Sequence, residues 1–269
     1  MVALTDKEKQ LSYVKYYYQE LAPIPEQKLA IARGIAADPA QALPLEERNK
    51  FLAGTDIGLQ SGFCVMENGM GYVANSTFMP DVTPKMVDWW FGWHSVGSDL
   101  RYKLWNHDDH YHARADRPEY VLDPSVPNNQ KTWGVGHHIL EDIGMEPEEI
   151  YLCFKRPADF GYDEALIGSA KCASLVCAAG EGQSPAFMSH KWYAVDGGIM
   201  FESRFWMGVV YQDGRLVKLL PEGVKVPEAG PVHCLTTILK STPIWPPSCR
   251  KSTRRKRITG KKSNFLNFR

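Results

Sequence analysis

Alternation of apolar and polar positions is clearest late in the chain, in SHKWYAV, IMFESRFWMGVVY and RLVKLL, three runs separated by the turn sequences VDGG and QDG. A period of two residues broken by Asp and Gly predicts a meander of antiparallel strands. Upstream, GFCVMENGMGYVANSTFM reads as a hairpin with a Gly-containing turn, and EEIYLCFKRPA and ALIGSAKCASLVCAAGE supply further strand candidates. MVDWWFGWHS suits a helix, and PVHCLTTILK starts a final one. The first 53 residues have a different texture. TDKEKQLSYVKYYYQEL follows a Thr5 cap, while PIPEQKLAIARGIA and PLEERNKFLAG each open with proline near a first turn. These patterns predict short helices forming a small module rather than a core. The fold class expected is α+β: a curved antiparallel sheet with a C-terminal helix against it. The expected divisions are 1–57, 58–239 and 240–269.

Composition narrows the class without changing it. Hydrophobic residues make up 44 % and charged residues 23 % of 269, ordinary for a globular chain. No apolar run approaches the roughly 20 residues needed to span a bilayer, and MVALTDKEKQ lacks a signal-peptide core, so the expectation is a cytoplasmic protein with no membrane partner. Six cysteines without a CxxC pair are expected to be reduced. There is no GxGxxG or GxxxxGK loop to cradle phosphate.

The formal charge of zero hides an asymmetry. Ten of the 31 Lys and Arg fall within residues 240–269, which hold no Asp or Glu, so the body carries 21 basic against 31 acidic side chains. No nucleic acid is expected to bind residues 1–239. For the tail two readings stay open. One is a basic, disordered extension acting on nucleic acid or as a nuclear address. The other is a frame-shifted product, because back-translation read two bases later spells a glutamate-bearing amphipathic helix.

Candidate chemistry centres on DLRYKLWNHDDHYHARAD, Asp99 to Asp116, where His107, His110 and His112 surround Asp108 and Asp109 just after WWFGWH. Taken singly, a histidine in such a run is more often solvated or bonded to a carbonyl, and the two aspartates read as a turn pair in solvent. His137 and His138 are adjacent, so at most one faces a site. Glu141 follows His138 by three residues, one turn on if HHILEDIG is helical.

Several separated blocks in order, WWFGWH, DLRYKLWNHDDHYHA, GVGHHILEDIG, GGIMFESRFWMG and PVHC, resemble the 2,4-diacetylphloroglucinol hydrolase and phloretin hydrolase family over most of residues 60–236. The resemblance implies a Bet v 1-like helix-grip fold and a Zn2+-dependent hydrolase that cleaves the carbon–carbon bond between a polyhydroxylated aromatic ring and its acyl group. It implies metal ligands at His110, Glu141 and His233, and roles in substrate hydrogen bonding and proton relay for Tyr102 and His190. His107 and His112 then become neighbours rather than ligands. The sequence departs from the family at one place: the glutamate expected four residues after the helix histidine is Thr237. The implied partner is a small aromatic ketone, with a homodimer left open. The competing reading is a non-enzymatic helix-grip carrier of a hydrophobic or phenolic ligand.

Overall fold

The computed structural model describes residues 1–269 except 22, 145, 183, 184 and 241–269. The basic or frame-shifted tail therefore lies outside the described residues, apart from Lys240. Its main feature is an antiparallel eight-stranded sheet. The strands are β1 (Gly62–Val65), β2 (Gly71–Pro80), β3 (His110–Ala115), β4 (Gly136–Asp142), β5 (Pro147–Phe154), β6 (Ser174–Glu181), β7 (Ala186–Val195) and β8 (Gly198–Met207). Their spatial order is β1-β2-β8-β7-β6-β5-β4-β3. A separate two-stranded sheet pairs β9 (Val209–Gln212) with β10 (Arg215–Lys218).

The predicted hairpin at 62–80 forms, and so does the strand pair across Asp196–Gly197. The expected three-strand meander is corrected. The chain leaves the large sheet at Gly208, where φ of +83° suits glycine and turns the ladder away, so IMFESRFWMGVVY is two strands rather than one. Asp213 and Gly214 both take positive φ, the requirement of a type I′ turn, and close the β9–β10 hairpin. HHILEDIG is strand, not helix, which replaces the helical spacing of His138 and Glu141 with a period of two.

The helices are α1 (Asp6–Lys9), α2 (Glu26–Arg33), α3 (Asn49–Ala53), α4 (Pro84–Phe91), α5 (Leu100–Lys103), α6 (Pro118–Leu122) and α7 (Ala229–Lys240). Thr5 caps α1 as expected, in a capping box completed by Glu8. The N-terminal helices are shorter than the patterns suggest, because Pro, Gly and Asp interrupt them every few residues. Leu43, Leu45, Phe51 and Leu52 are buried in one cluster with Tyr72, Phe187 and Trp206. The end of the expected N-terminal module therefore shares its core with the sheet.

Both faces of the sheet are covered, which explains why its strands lack clean alternation. Following the register, Val73, Phe205, Met188, Val176, Phe154 and Ile139 lie on one face. There α7 supplies Leu235, Ile238 and Leu239 against Phe63 and Val73, while α4 supplies Val87, Trp90 and Phe91 against Met188 and Trp192. The other face holds Tyr72, Phe187, Trp206 and Cys177 under residues 42–52, Phe160 and Tyr162. No described helix is long and apolar enough to cross a membrane.

Candidate active site

Strand register decides which histidines can act together. Residues 137, 139 and 141 of β4 point to the α7 side of the sheet, so His137 is buried on that face while His138 is exposed on the other. His110 opens β3 directly opposite Glu141, and a bulge between His110 and His112 turns the following residues. The cross-strand pairing brings His110 Nε2 to 3.5 Å from Glu141 Oε2. Tyr102, from α5, stacks on His110 with ring centroids 4.0 Å apart and planes 8° from parallel. Its hydroxyl donates to Glu141 Oε2 at 2.5 Å. Three of the expected residues thus meet at one point.

The electrostatics of this cluster are unbalanced. Burial pushes the His110 imidazole down to about 3, so it is neutral near pH 7. Burial raises the Glu141 carboxyl, the Tyr102 hydrogen bond works against that rise, and Asp109 and Glu148 add to it. Burial and then Glu141 lift the Tyr102 hydroxyl well above the usual phenol range. No lysine or arginine among the described residues pairs with Glu141. Its side chain is mostly enclosed, at 18 % exposure.

His233 reaches the same neighbourhood from α7. A Cβ built on Gly144, three residues beyond Glu141, would stand 3.3 Å from His233 Cβ and 3.4 Å from its Cγ. The thiol of the adjacent Cys234 is pushed up to about 12 by burial and then by the charge of Glu141. Thr237, one turn after His233, is buried and brings no carboxylate.

His190 sits on β7, on the same face but three strands from β4, roughly 14 Å across the sheet. Its Nδ1 lies 2.8 Å from Ser203 Oγ. Burial lowers the imidazole to about 4. Phe91 and Phe201 stack on its ring at 6.3 and 5.4 Å, and Phe205 meets it edge-on at 5.5 Å. Trp192 continues the stack, parallel to both Phe91 and Phe201 within 6°. His190 thus joins an aromatic wall rather than the Tyr102–His110–Glu141 cluster, and Phe91, His94, His137 and Phe154 bridge the face between them.

Sequence reasoning misplaced or missed other groups. Asp109, read as a solvent turn residue, is buried, accepts from Asn106 Nδ2 at 3.0 Å and pairs with Lys240 at 3.1 Å. Asp108 is half-exposed, and His107 Nδ1 lies 3.0 Å from its carboxylate. His112 faces Glu149 at 3.7 Å, away from the cluster. His94 and His137 are both buried beside the site, their rings 5.2 Å apart, and His94 also meets Tyr102 at 5.8 Å. His137 precedes Glu141 by four residues, a spacing that puts both on one face in a strand and in a helix alike, so that signal was present in the sequence.

Two donors on one tetrahedral zinc, each at about 2.0–2.1 Å, stand about 3.4 Å apart. The His110–Glu141 separation of 3.5 Å fits that test. No group of three His, Cys, Asp or Glu able to hold a metal is assembled among the described residues, so the pair fits and the full ligand set is not closed.

A largely enclosed carboxylate, a phenol and neutral imidazoles thus share one sheet face, with an aromatic wall beyond. Residues 43–240 match the family model described as the DAPG hydrolase PhiG domain, and the chain belongs to that family. The chain is 56 % identical over 228 residues to the phloretin hydrolase of Eubacterium ramulus, covering 84 % of this chain and 83 % of that protein. It is 26 % identical over 202 residues to 2,4-diacetylphloroglucinol hydrolases of a Pseudomonas species and of Pseudomonas protegens, covering 73 % of this chain and 68 % and 66 % of theirs.

Proposed function

We propose that this chain hydrolyses the bond between a polyhydroxylated aromatic ring and its acyl carbon in acylphloroglucinol-type ketones, phloretin among them. The observation that carries the reading is the Tyr102–His110–Glu141 cluster, a largely enclosed carboxylate tied to a phenol and an imidazole. Membership of the hydrolase family and the identity to a phloretin hydrolase support it. The sheet with α7 packed across β1 and β2 supports a Bet v 1-like helix-grip as the finer description of the fold.

The chemistry has two demands. Water must add to the acyl carbonyl, and the ring carbon must take up a proton as the aryl–acyl bond breaks and its electron pair moves into the ring. The products are a phenol and a carboxylic acid. His110, Glu141 and His233 are the residues proposed to hold a zinc ion, which supplies Lewis-acid chemistry when bound. Tyr102 has one proton and one strong acceptor in Glu141, so it is placed to pass a proton between substrate and carboxylate. His190 is neutral and its Nδ1 is engaged by Ser203, which leaves Nε2 to meet a ring hydroxyl held against Phe91, Phe201 and Phe205. Thr237 leaves the site one anion short of the family pattern, and we propose that this weakens the metal.

Incubating the purified chain, loaded with Zn2+, with phloretin and following release of phloroglucinol by chromatography tests the proposal. Equal amounts of phloroglucinol and the aryl-propionic acid are expected. Saturable binding of phloretin with no product would overturn hydrolysis and leave the carrier reading standing.

A further inference from the structure

The first seventeen residues lie outside the family match, yet they wrap onto α5, the helix that carries Tyr102. The Val2 amide donates to the His107 carbonyl at 2.7 Å. Tyr17 donates its hydroxyl to the Val2 carbonyl. Tyr13 and Tyr17 pack around Leu100, which is fully buried at the start of α5. The strongest tie is ionic. Lys103 Nζ donates to Glu8 Oε1 at 2.9 Å, to Glu8 Oε2 at 3.0 Å and to the Ala3 carbonyl at 3.1 Å. Both side chains are almost enclosed, at 7 % and 6 % exposure. Glu8 is itself fixed, because its Oε2 accepts from the Thr5 amide and hydroxyl in the capping box of α1.

α5 is a single turn of four residues, too short to hold its shape alone. Tyr102 is the residue immediately before Lys103, and His110 opens the strand that α5 packs against. Whatever fixes Lys103 therefore fixes the phenol against Glu141. We propose that Glu8 is a positioning residue: through Lys103 it locks α5 so that the Tyr102 hydroxyl meets the Glu141 carboxylate. The kinetic part of this inference rests on the proposed hydrolase activity.

A buried ion pair can be structural without positioning anything, and a double variant separates the two roles. Removing one partner leaves an uncompensated charge and destabilises the fold, whereas neutralising both relieves that cost. Glu8→Gln keeps the capping-box acceptor, and Lys103→Met keeps the length and volume of the stem. Each single variant is expected to melt below the parent. The E8Q/K103M double variant is expected to melt close to the parent while its kcat on phloretin stays down by about 10-fold or more, with KM within about twofold. Hydrogen–deuterium exchange of residues 100–110 should rise in the same double variant, and exchange in β7 and β8 should not.

Recovery of kcat together with Tm in the double variant would overturn the positioning role. If the parent chain itself releases no phloroglucinol, the hydrolase reading fails separately. Exchange at 100–110 then decides this inference alone: a rise supports it, and unchanged protection overturns it.

Discussion

The two faces of the sheet bury similar chemistry to opposite ends. On the face under residues 42–52, Lys191 and Glu202 sit at 1 % and 5 % exposure with their charges 3.1 Å apart, and Lys191 also donates to the Phe51 carbonyl at 2.5 Å. Lys191 and Glu202 are each other's counter-charge, while the fully buried Arg204 guanidinium beside them lies over the Phe51 ring and donates to the Ser203 carbonyl. On the α7 face, Glu141 has a phenol and a neutral imidazole for company and no cation among the described residues. A carboxylate buried without a counter-ion is costly unless something outside the polypeptide balances it. The difference is one of pairing: Lys191 and Glu202 neutralise each other, whereas Glu141 is partly exposed and lacks a positive partner among the described residues.

The largest effect should come from removing that carboxylate. Glu141→Gln is isosteric and should lower kcat/KM on phloretin by about 10^3-fold with little change in Tm. A variant that kept its activity would place the chemistry elsewhere on the sheet.

Acid should strike the α7 face first. Burial holds His94 and His190 down to about 4 and His110 to about 3, against an ordinary 6.5. Below pH 6.5 the unfolded chain takes up protons that the folded chain refuses, so ν_U exceeds ν_N and stability rises with pH. The contribution is complete above 6.5 and is lost as pH falls toward 4, at about 1.4 kcal/mol per pH unit for each such histidine. Denaturant titrations of metal-free protein at pH 7, 6 and 5 measure the slope. A flat profile would mean that these imidazoles charge freely inside the fold.

The opposite face makes the complementary prediction. Lys191→Met strands the Glu202 carboxylate and should cost about 3–5 kcal/mol, read as a fall in Tm, while kcat/KM measured well below that temperature changes by less than about twofold. A matching loss of activity would mean that the two faces are coupled through β7.

The smallest change sharpens the open side of the comparison. Thr237→Glu adds an anion one helical turn from His233, and should tighten zinc by about 10-fold, measured by competition with a chelating dye. No gain would place position 237 out of reach of the metal.

Much of the fold was legible in the chain. Period-two runs and Asp–Gly turns marked β1, β2, β7, β8 and β10, and Thr5 marked the start of α1. The failures have physical causes. In β4, GHHILED mixes histidines and acids with only two apolar residues, so it gave no clean alternation and HHILEDIG could pass for helix; β6, buried along nearly its whole length, was still marked by its apolar run. A break such as Gly208 is a matter of one backbone dihedral, invisible in a pattern of side chains.

What the sequence determined by itself was the supply of parts: eight histidines, the HHILED segment, the aromatic run before α5 and the threonine at 237. Those are properties of residue type and order. Which parts meet was decided only by the tertiary structure, because strand register sets His110 opposite Glu141 and the packing of α5 lays Tyr102 over both. Contact between residues separated by 31 and 39 positions depends on pairing across the sheet, and no local preference of the chain encodes that distance.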